Sequence, residues 1–197
     1  MDTALACAPR NCSARWDLAG GHAVTVRPVV AEDLQLESEF VARGLTQQSR
    51  YQRFQTALRE LPPGMAAYLT DIDYRQHFAL LALVEDDGRP RQVGEVRYVC
   101  DGALPDQAEF ALAVADDWQG RGLGARLLRQ LVRVARRHGV RLLYGDVLRT
   151  NQAMLALARS QGFVPQRQGD ARLVRMALAL DAAPAPAPAH SAGGSAR

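Results

Sequence analysis

The sequence predicts an α+β domain in which a mixed, mostly antiparallel sheet of about six or seven strands is flanked by helices. Two observations lead to this fold class. Apolar and alternating segments separated by turn residues predict an antiparallel meander between residues 77 and 114. A glycine-rich turn and a long amphipathic helix follow, and further strand and helix patterns come after them. The meander predicts antiparallel pairing of its three strands, which lead into the glycine-rich turn.

The composition is that of a chain that can build one hydrophobic core. Of the 197 residues, 48% are hydrophobic, which fits one domain with tails. The net charge of +3 does not indicate nucleic-acid binding, because the arginines are scattered rather than clustered with aromatic residues. The chain lacks a membrane-spanning apolar run and the apolar region of a signal peptide, so we expect a cytoplasmic protein with no membrane partner. Cys7, Cys12 and Cys100 have neither disulfide-framework nor metal-site spacing, and no metal is expected.

The N-terminal part of the chain predicts a leader, one strand and two helices. Residues 1–22 show no periodicity and are expected to form a flexible leader to a domain that spans residues 23–180. Residues 23–29 read as the first strand and residues 31–44 as a helix that ends at a glycine. Thr46 is the expected N-cap of the next helix.

The remaining elements follow from alternation and helical spacing. In chain order they are a short helix at 65–69, strands at 77–84, 92–100 and 109–114, a helix from the glycine-rich turn to about 138, a strand at 140–147, a helix at 151–161, and strands at 163–168 and 171–180. Residues 181–197 are rich in Ala, Pro and Gly and are expected to be a disordered tail.

The glycine-rich turn, residues 119–124, is the strongest functional signal. It lies between an almost wholly apolar strand, residues 110–115, and the N-terminus of the long helix. Glycines let the backbone approach a ligand closely, and the first-turn N–H groups and the helix dipole attract an anion. The sequence therefore predicts a phosphate-binding turn.

Two phosphate ligands are disfavoured by the surrounding sequence. Gly120, Gly122 and Ala125 fit the dinucleotide fingerprint, and Asp146 stands at the end of a later strand where a ribose-binding acid would be expected. That fingerprint should follow the first strand of a βαβ series, whereas here an antiparallel meander precedes it. A nucleoside triphosphate loop is excluded because the chain contains no Gly-Lys-Ser/Thr.

The pattern Gln119-x-x-Gly122-x-Gly124 resembles the acyl-CoA-binding motif Q/R-x-x-G-x-G/A of the GNAT superfamily of N-acetyltransferases, and the order of elements resembles that fold over about residues 23–180. A closer resemblance is to the acetyltransferase domain of bacterial protein lysine acetyltransferases, which modify acetyl-CoA synthetase and related enzymes. The segments that carry it are 45–54, 69–74, 108–110, 116–124, 145–148 and 151–158. It implies direct transfer from acetyl-CoA to a primary amine, with a lysine of an acyl-CoA synthetase-like protein as the expected acceptor.

The resemblance also implies how the cofactor is bound. The backbone near Val114 would pair with the pantetheine arm, the turn would hold the pyrophosphate, Arg121 would add charge, and Asn151 would touch CoA or serve as an ordinary N-cap. The expected cofactor-binding residues are Val114, Gln119, Gly120, Arg121, Gly122, Leu123, Gly124, Ala125 and Asn151.

Attack by an amine requires a general base, and Glu109 is the predicted one. It is the sole carboxylate of its strand, but alternation does not decide which face it occupies, and a bulge would change that face. Glu95 is the reserve candidate. The usual tyrosine that protonates the leaving thiolate is replaced by Ala158, so the general acid is unassigned between Tyr144 and water.

Two other functions remain open on the sequence. The same scaffold would serve a small-molecule amine acetyltransferase, or a non-catalytic acyl-CoA-binding sensor. Arg50 and Arg53 would line a substrate entrance or belong to a solvated helix face. The chain is expected to be a monomer or a homodimer.

Overall fold

The computed structural model describes residues 13–18, 20–167 and 169–180, which form an eight-stranded sheet flanked by five α-helices. The strands are β1 Ala14–Asp17, β2 Ala23–Pro28, β3 His77–Asp86, β4 Arg89–Cys100, β5 Gln107–Val114, β6 Leu142–Leu148, β7 Val164–Gln166 and β8 Leu173–Ala179. Their order across the sheet is β1-β2-β3-β4-β5-β6-β8-β7. Within the described residues every pair is antiparallel except β5 with β6. The predicted fold class is confirmed.

The helices are α1 Leu34–Glu39, α2 Gln47–Phe54, α3 Pro63–Thr70, α4 Leu123–Arg137 and α5 Gln152–Ser160. A 3-10 turn leads into α1, and a π turn carries it on to Gly44. Thr46 caps α2 as expected, since its hydroxyl accepts a hydrogen bond from Ser49 N at 3.3 Å. None of the described helices has the length and apolar character that crossing a membrane requires.

One strand lies where the sequence predicts a leader. β1 falls within residues 1–22 and pairs with β2 from Ala14–Val26 to Asp17–Ala23. Trp16 packs against the hydrophobic core. A four-residue edge strand with one neighbour carries too short an alternation to be recognised in sequence. Residues 1–12 and the predicted tail, residues 181–197, lie outside the described residues.

The core lies between the sheet and α4. One stripe of α4 is buried at helical spacing against β4 and β5, which is why this segment reads so clearly as a helix. Its buried members are Leu123, Leu127, Leu128, Leu131, Val132, Val134 and Ala135. The opposite face of the sheet is covered in part by α1, against β4, and by α2, against β5. Helices therefore cover both faces of the sheet, α4 on one and α1 and α2 on the other.

The parallel pairing of β5 and β6 ends early, and this positions the site. Three pairs form, from Gln107–Leu142 to Glu109–Tyr144, after which the two strands no longer pair with each other, although β5 stays paired with β4 and β6 with β8. The ring of Phe110 occupies the place where a side chain at Gly145 would stand, 2.7 Å from an ideal Cβ there. Phe110 also packs against Phe163 with ring centroids 4.9 Å apart. A slot therefore opens inside the sheet beyond Glu109.

Candidate active site

The slot between β5 and β6 widens into a cleft with a cavity volume of about 410 Å³. Its walls are the second half of β5, the second half of β6, the N-termini of α4 and α5, and one side of α2. The cleft therefore has two ends, one at the glycine-rich turn and one at Glu109 beside α2.

At the first end, the backbone of the turn is exposed to the cleft. Gly120 and Gly122 adopt φ values of +74° and +79°, which L-residues with a side chain rarely adopt. An ideal Cβ at either position would meet no atom within 4 Å, so the space before the turn is open. Among the described residues no side chain caps α4, and its first-turn N–H groups have no helical partner. This arrangement of exposed N–H groups is suited to binding an anion.

The third glycine and the flanking amides have structural duties as well. An ideal Cβ at Gly124 would lie 3.3 Å from Leu157, so this glycine allows α4 to approach α5. Gln119 donates its amide Nε2–H to the carbonyl oxygen of Val114 at 3.2 Å, which fixes the turn against the end of β5. Asn151 accepts from Met154 N at 3.0 Å and is the N-cap of α5. Both amides line the cleft as well.

All of the predicted cofactor-binding residues line this cleft except Arg121. Its guanidinium stacks on the ring of Trp118, 4.8 Å from the centroid, and donates to the carbonyl of Asp117 at 2.9 Å. Arg121 therefore packs against the indole ring of Trp118, which lines the cleft. This contact is not evident from the spacing of residues in the sequence.

At the second end, Glu109 faces α2. The one bulge in this part of the sheet falls between β3 and β4, where Val93 has no partner, and β4 pairs regularly with β5 from Gly94–Val114 to Cys100–Ala108. Alternation therefore holds through β5, and Glu109 lies at the mouth of the cleft, accessible to solvent. Partial burial of its carboxyl raises its pKa, the charge of Asp146 raises it further, and Arg175 and Arg53 lower it.

Glu95, the reserve base, belongs instead to a buried ion cluster. Its side chain is fully buried and binds Arg97 Nη2 at 2.5 Å and Arg53 Nη2 at 2.9 Å. Burial alone would raise its pKa, but the two guanidinium groups bring the pKa down to about 2. Arg97 also binds Glu37, whose pKa burial and the neighbouring charge of Glu95 raise to about 8. A carboxylate held this way is a poor proton acceptor, and the structure does not support Glu95 as the base.

The two arginines of α2 have different roles. Arg53 lines the cleft and its guanidinium binds Glu95 beneath it, so it is a fixed positive charge at the Glu109 end of the cleft. The Arg50 guanidinium donates to the carbonyl oxygens of Val41, Ala42, Leu45 and Leu58, which anchors the segments on either side of α2. Only Arg53 is therefore placed to meet a substrate.

No residue of α5 that lines the cleft can act as the general acid that Ala158 leaves unassigned. Ala158 is fully buried, whereas the α5 residues that line the cleft are Ala153, Met154 and Leu157, none of which can donate a proton. Tyr144 lies beside Glu109 in the parallel ladder, and the Arg175 guanidinium stands 4.4 Å from its ring centroid. Burial, followed by the charge of Glu109, raises the pKa of Tyr144, so it remains a protonated hydroxyl at neutral pH.

The roles of two acidic residues, Asp116 next to the cleft and Asp146 in its wall, are not evident from the sequence. Asp116 joins the two ends of the site, because its carboxylate accepts from Thr46 N at 2.8 Å and from Ser49 Oγ at 2.7 Å at the start of α2. Asp146 lines the cleft and is paired with Arg175 on β8. The signal for Asp146 was present, a carboxylate in an otherwise apolar strand, but its partner is distant in sequence.

Comparison with known sequences agrees with this geometry. Residues 45–163 match the acetyltransferase (GNAT) family. Acetyltransferase PA5475 of Pseudomonas aeruginosa is 42% identical over 155 residues, which are 78% of this chain and 81% of that protein. Acetyltransferase Pat of Mycolicibacterium smegmatis is 29% identical over 143 residues, which are 73% of this chain but 42% of that protein.

Comparison with solved structures gives the same family. The GNAT domain of Streptomyces lividans PAT superposes with a TM-score of 0.81 at 26% identity, covering 88% of this chain and 99% of that domain. A putative acetyltransferase from Salmonella typhimurium, solved with acetyl-CoA, shares the fold with a TM-score of 0.60 at 20% identity, covering 83% of this chain and 97% of that one.

Proposed function

Because the chain belongs to the GNAT family of acetyltransferases, we propose that it transfers the acetyl group of acetyl-CoA directly to the side-chain amine of a protein lysine. The observation that carries the proposal is the arrangement of the cleft, with an uncapped glycine-rich helix N-terminus at one end and Glu109 at the other. The segments that resemble bacterial protein lysine acetyltransferases support lysine as the acceptor.

The residues present fit acetyl-CoA. The open space before Gly120 and Gly122 would admit the diphosphate to the N–H groups of the turn. The edge of β5 that faces β6, which is unpaired beyond Glu109, would receive the pantetheine arm as an added strand. When bound, acetyl-CoA supplies an acetyl group activated as a thioester, and transfer forms a C–N bond as the C–S bond breaks.

Glu109 makes the acceptor nitrogen nucleophilic. A lysine ammonium loses one proton to the Glu109 carboxylate, which later passes it to solvent, and the neutral nitrogen then attacks the acetyl carbonyl carbon. The nitrogen gives up a second proton as the amide forms, and one proton ends on the departing sulfur. Water, or the hydroxyl of Tyr144, whose backbone pairs with that of Glu109, delivers that proton.

Replacing Gly122 by alanine is expected to weaken acetyl-CoA binding by about tenfold or more, because even one lost charge-assisted hydrogen bond costs about 1.5–3 kcal/mol. The new Cβ would stand in the space that the diphosphate must enter. Isothermal titration with CoA measures the effect. Gly139→Ala is the matched control, since Gly139 has φ +83° and equally open surroundings at the far end of α4. Both variants should lose about 1–2 kcal/mol of stability. Equal loss of CoA affinity in both would contradict diphosphate binding by the glycine-rich turn.

The proposed function is tested by adding the purified protein and acetyl-CoA to a bacterial lysate and identifying acetylated lysines by mass spectrometry. A parallel incubation with a panel of small amines distinguishes the alternative acceptors. A lysate incubated with acetyl-CoA but without the protein is the control, because it subtracts acetylation that occurs without the enzyme. Turnover of small amines without protein acetylation would replace the lysine proposal, and CoA binding without any transfer would identify a sensor.

A further inference from the structure

Asp146 and Arg175 form an ion pair at the acceptor end of the cleft that the mechanism above does not use. Arg175 on β8 binds both carboxylate oxygens of Asp146 on β6, Nε to Oδ1 at 2.9 Å and Nη2 to Oδ2 at 2.7 Å. The Asp146 side chain is 14% exposed and lines the cleft, so it is partly desolvated without being sealed off. A bidentate, charge-assisted pair of this kind holds both groups in one orientation.

The register of the sheet places this carboxylate beside Glu109. Glu109 pairs with Tyr144 in the parallel ladder, and Asp146, two residues further along β6, lies on the same face of the sheet. Two acidic side chains therefore face the same side of the slot at the point where β5 and β6 part. The other charged and titratable groups that face Glu109 are Tyr144 on β6, Arg175 on β8 and Arg53 on α2.

Asp146 is fixed from two directions. The Arg175 guanidinium that binds it also lies over the ring of Tyr144. The Gln55 amide Nε2–H donates to the backbone carbonyl of Asp146 at 2.9 Å, which joins the end of α2 to β6. Gln55 has a φ of +56°, a strained value for a residue with a side chain, and the bond to β6 helps to hold it there.

We propose that Asp146 and Glu109 together form a seat for the protonated acceptor amine, with Arg175 as the positioning residue that orients Asp146. The inference rests on the proposed function, since it takes the acceptor to be a primary amine. Arg175 neutralises much of the charge of Asp146, so Asp146 accepts a hydrogen bond from the ammonium without taking its proton. Glu109, to which no described arginine is bidentate, takes the proton instead. The seat selects cationic amines over hydroxyl acceptors of similar size.

Two measurements that need no acetyl transfer test the seat. The first is binding of Nα-acetyl-lysine amide and of n-butylammonium to the protein–CoA complex. The second is the pH titration of the Glu109 carboxyl carbon by NMR. Asp146→Asn should weaken binding of both ammonium probes by about tenfold or more, the cost of losing one charge-assisted hydrogen bond. It should also lower the pKa of Glu109, because a negative neighbour is removed while the positive Arg175 remains.

Substitution of Arg175 should shift the pKa of Glu109 in the direction opposite to that of Asp146→Asn. Arg175→Gln should raise the pKa of Glu109, because Asp146 is left uncompensated, whereas Arg175→Lys keeps the charge and should restore most of the wild-type titration. Asp33→Asn is the matched control, since Asp33 makes a bidentate pair with Arg27 at 2.6 Å and 2.6 Å away from the cleft. It should change neither readout, whatever it does to the melting temperature.

The proposal is overturned if Asp146→Asn binds both ammonium probes as tightly as the wild type. It is also overturned if the Glu109 titration moves in the same direction in Asp146→Asn and Arg175→Gln, or if the wild type binds neither probe. Should Asp146→Asn fail to fold, Arg175→Gln and Arg175→Lys decide by the Glu109 titration. If the wild type gives the expected binding and titration but acetylates no lysine in the lysate, the proposed function is contradicted and the amine-binding role of Asp146 and Glu109 is retained.

Discussion

Replacing Glu109 by glutamine is expected to lower kcat for acetyl transfer by about 10²–10⁴-fold, the usual contribution of a general base. Glutamine has nearly the same shape but cannot accept a proton, and Glu109 lies at the opposite end of the cleft from the turn. Affinity for CoA should therefore stay unchanged. Initial rates with an identified acceptor, together with CoA titration, measure both effects. Glu60→Gln, at an exposed position, is the control.

The pH dependence of the wild type should carry the signature of the same residue. Activity requires the Glu109 carboxylate, so kcat/KM should rise with pH through its pKa, which burial and Asp146 raise above the ordinary value of about 4.3. That acid limb should be absent from the residual activity of Glu109→Gln. Full turnover in the variant, or an unchanged acid limb, would remove Glu109 from the mechanism.

Replacing Glu95 by glutamine is expected to destabilise the fold by about 3–5 kcal/mol, since it leaves buried arginines without their counter-charge. Arg97 and Arg53 both bind this one carboxylate. Urea unfolding at neutral pH measures the loss. Because the pKa of Glu95 is lowered to about 2, its contribution is present above the unfolded value and is lost as pH falls towards 2. The difference between variant and wild type should therefore shrink on acidification.

Glu37→Gln is the matched control for Glu95, because it lies in the same cluster with the opposite shift. Burial and Glu95 raise the pKa of Glu37 to about 8, so the neutral acid predominates at pH 7 and glutamine imitates it. The variant should lose less than about 1 kcal/mol at neutral pH. Because the raised pKa stabilises the fold fully only below the unfolded value of about 4.5, stability is lost as the pH rises from there to about 8, and the variant should abolish that decline. Equal losses in the two variants would contradict this division of charge.

The parts of the fold predicted from sequence are those written in local patterns. The meander, the glycine-rich turn and α4 follow from alternation, turn residues and helical spacing within short segments. Thr46 as an N-cap also depends only on residues next to it. The sequence does not predict β1, because this strand is recognisable only from its pairing with β2. Four residues of alternation do not distinguish an edge strand from a leader.

The candidate site divides in the same way. The turn could be predicted because its glycines are required by the local backbone conformation, which depends only on residues 119–124. The environment of the acids could not, because it depends on sheet order: Arg175 reaches Asp146 across β8 and β6, and Arg53 reaches Glu95 from α2 to β4. Glu95 and Glu109 look alike in sequence, and only their neighbours make one a buried counter-ion and the other a carboxylate that is accessible from the cleft.

Past Glu109 the edges of β5 and β6 face each other across the slot without pairing, while β5 stays paired with β4 and β6 with β8. A ligand that pairs with the free edge of β5 therefore need not break any strand–strand hydrogen bonds to enter. Open strand edges ordinarily invite pairing with other chains. Here they lie in the interior of the sheet, between neighbours that face each other, so the protein can return to an incomplete sheet after every turnover without offering that edge to another molecule.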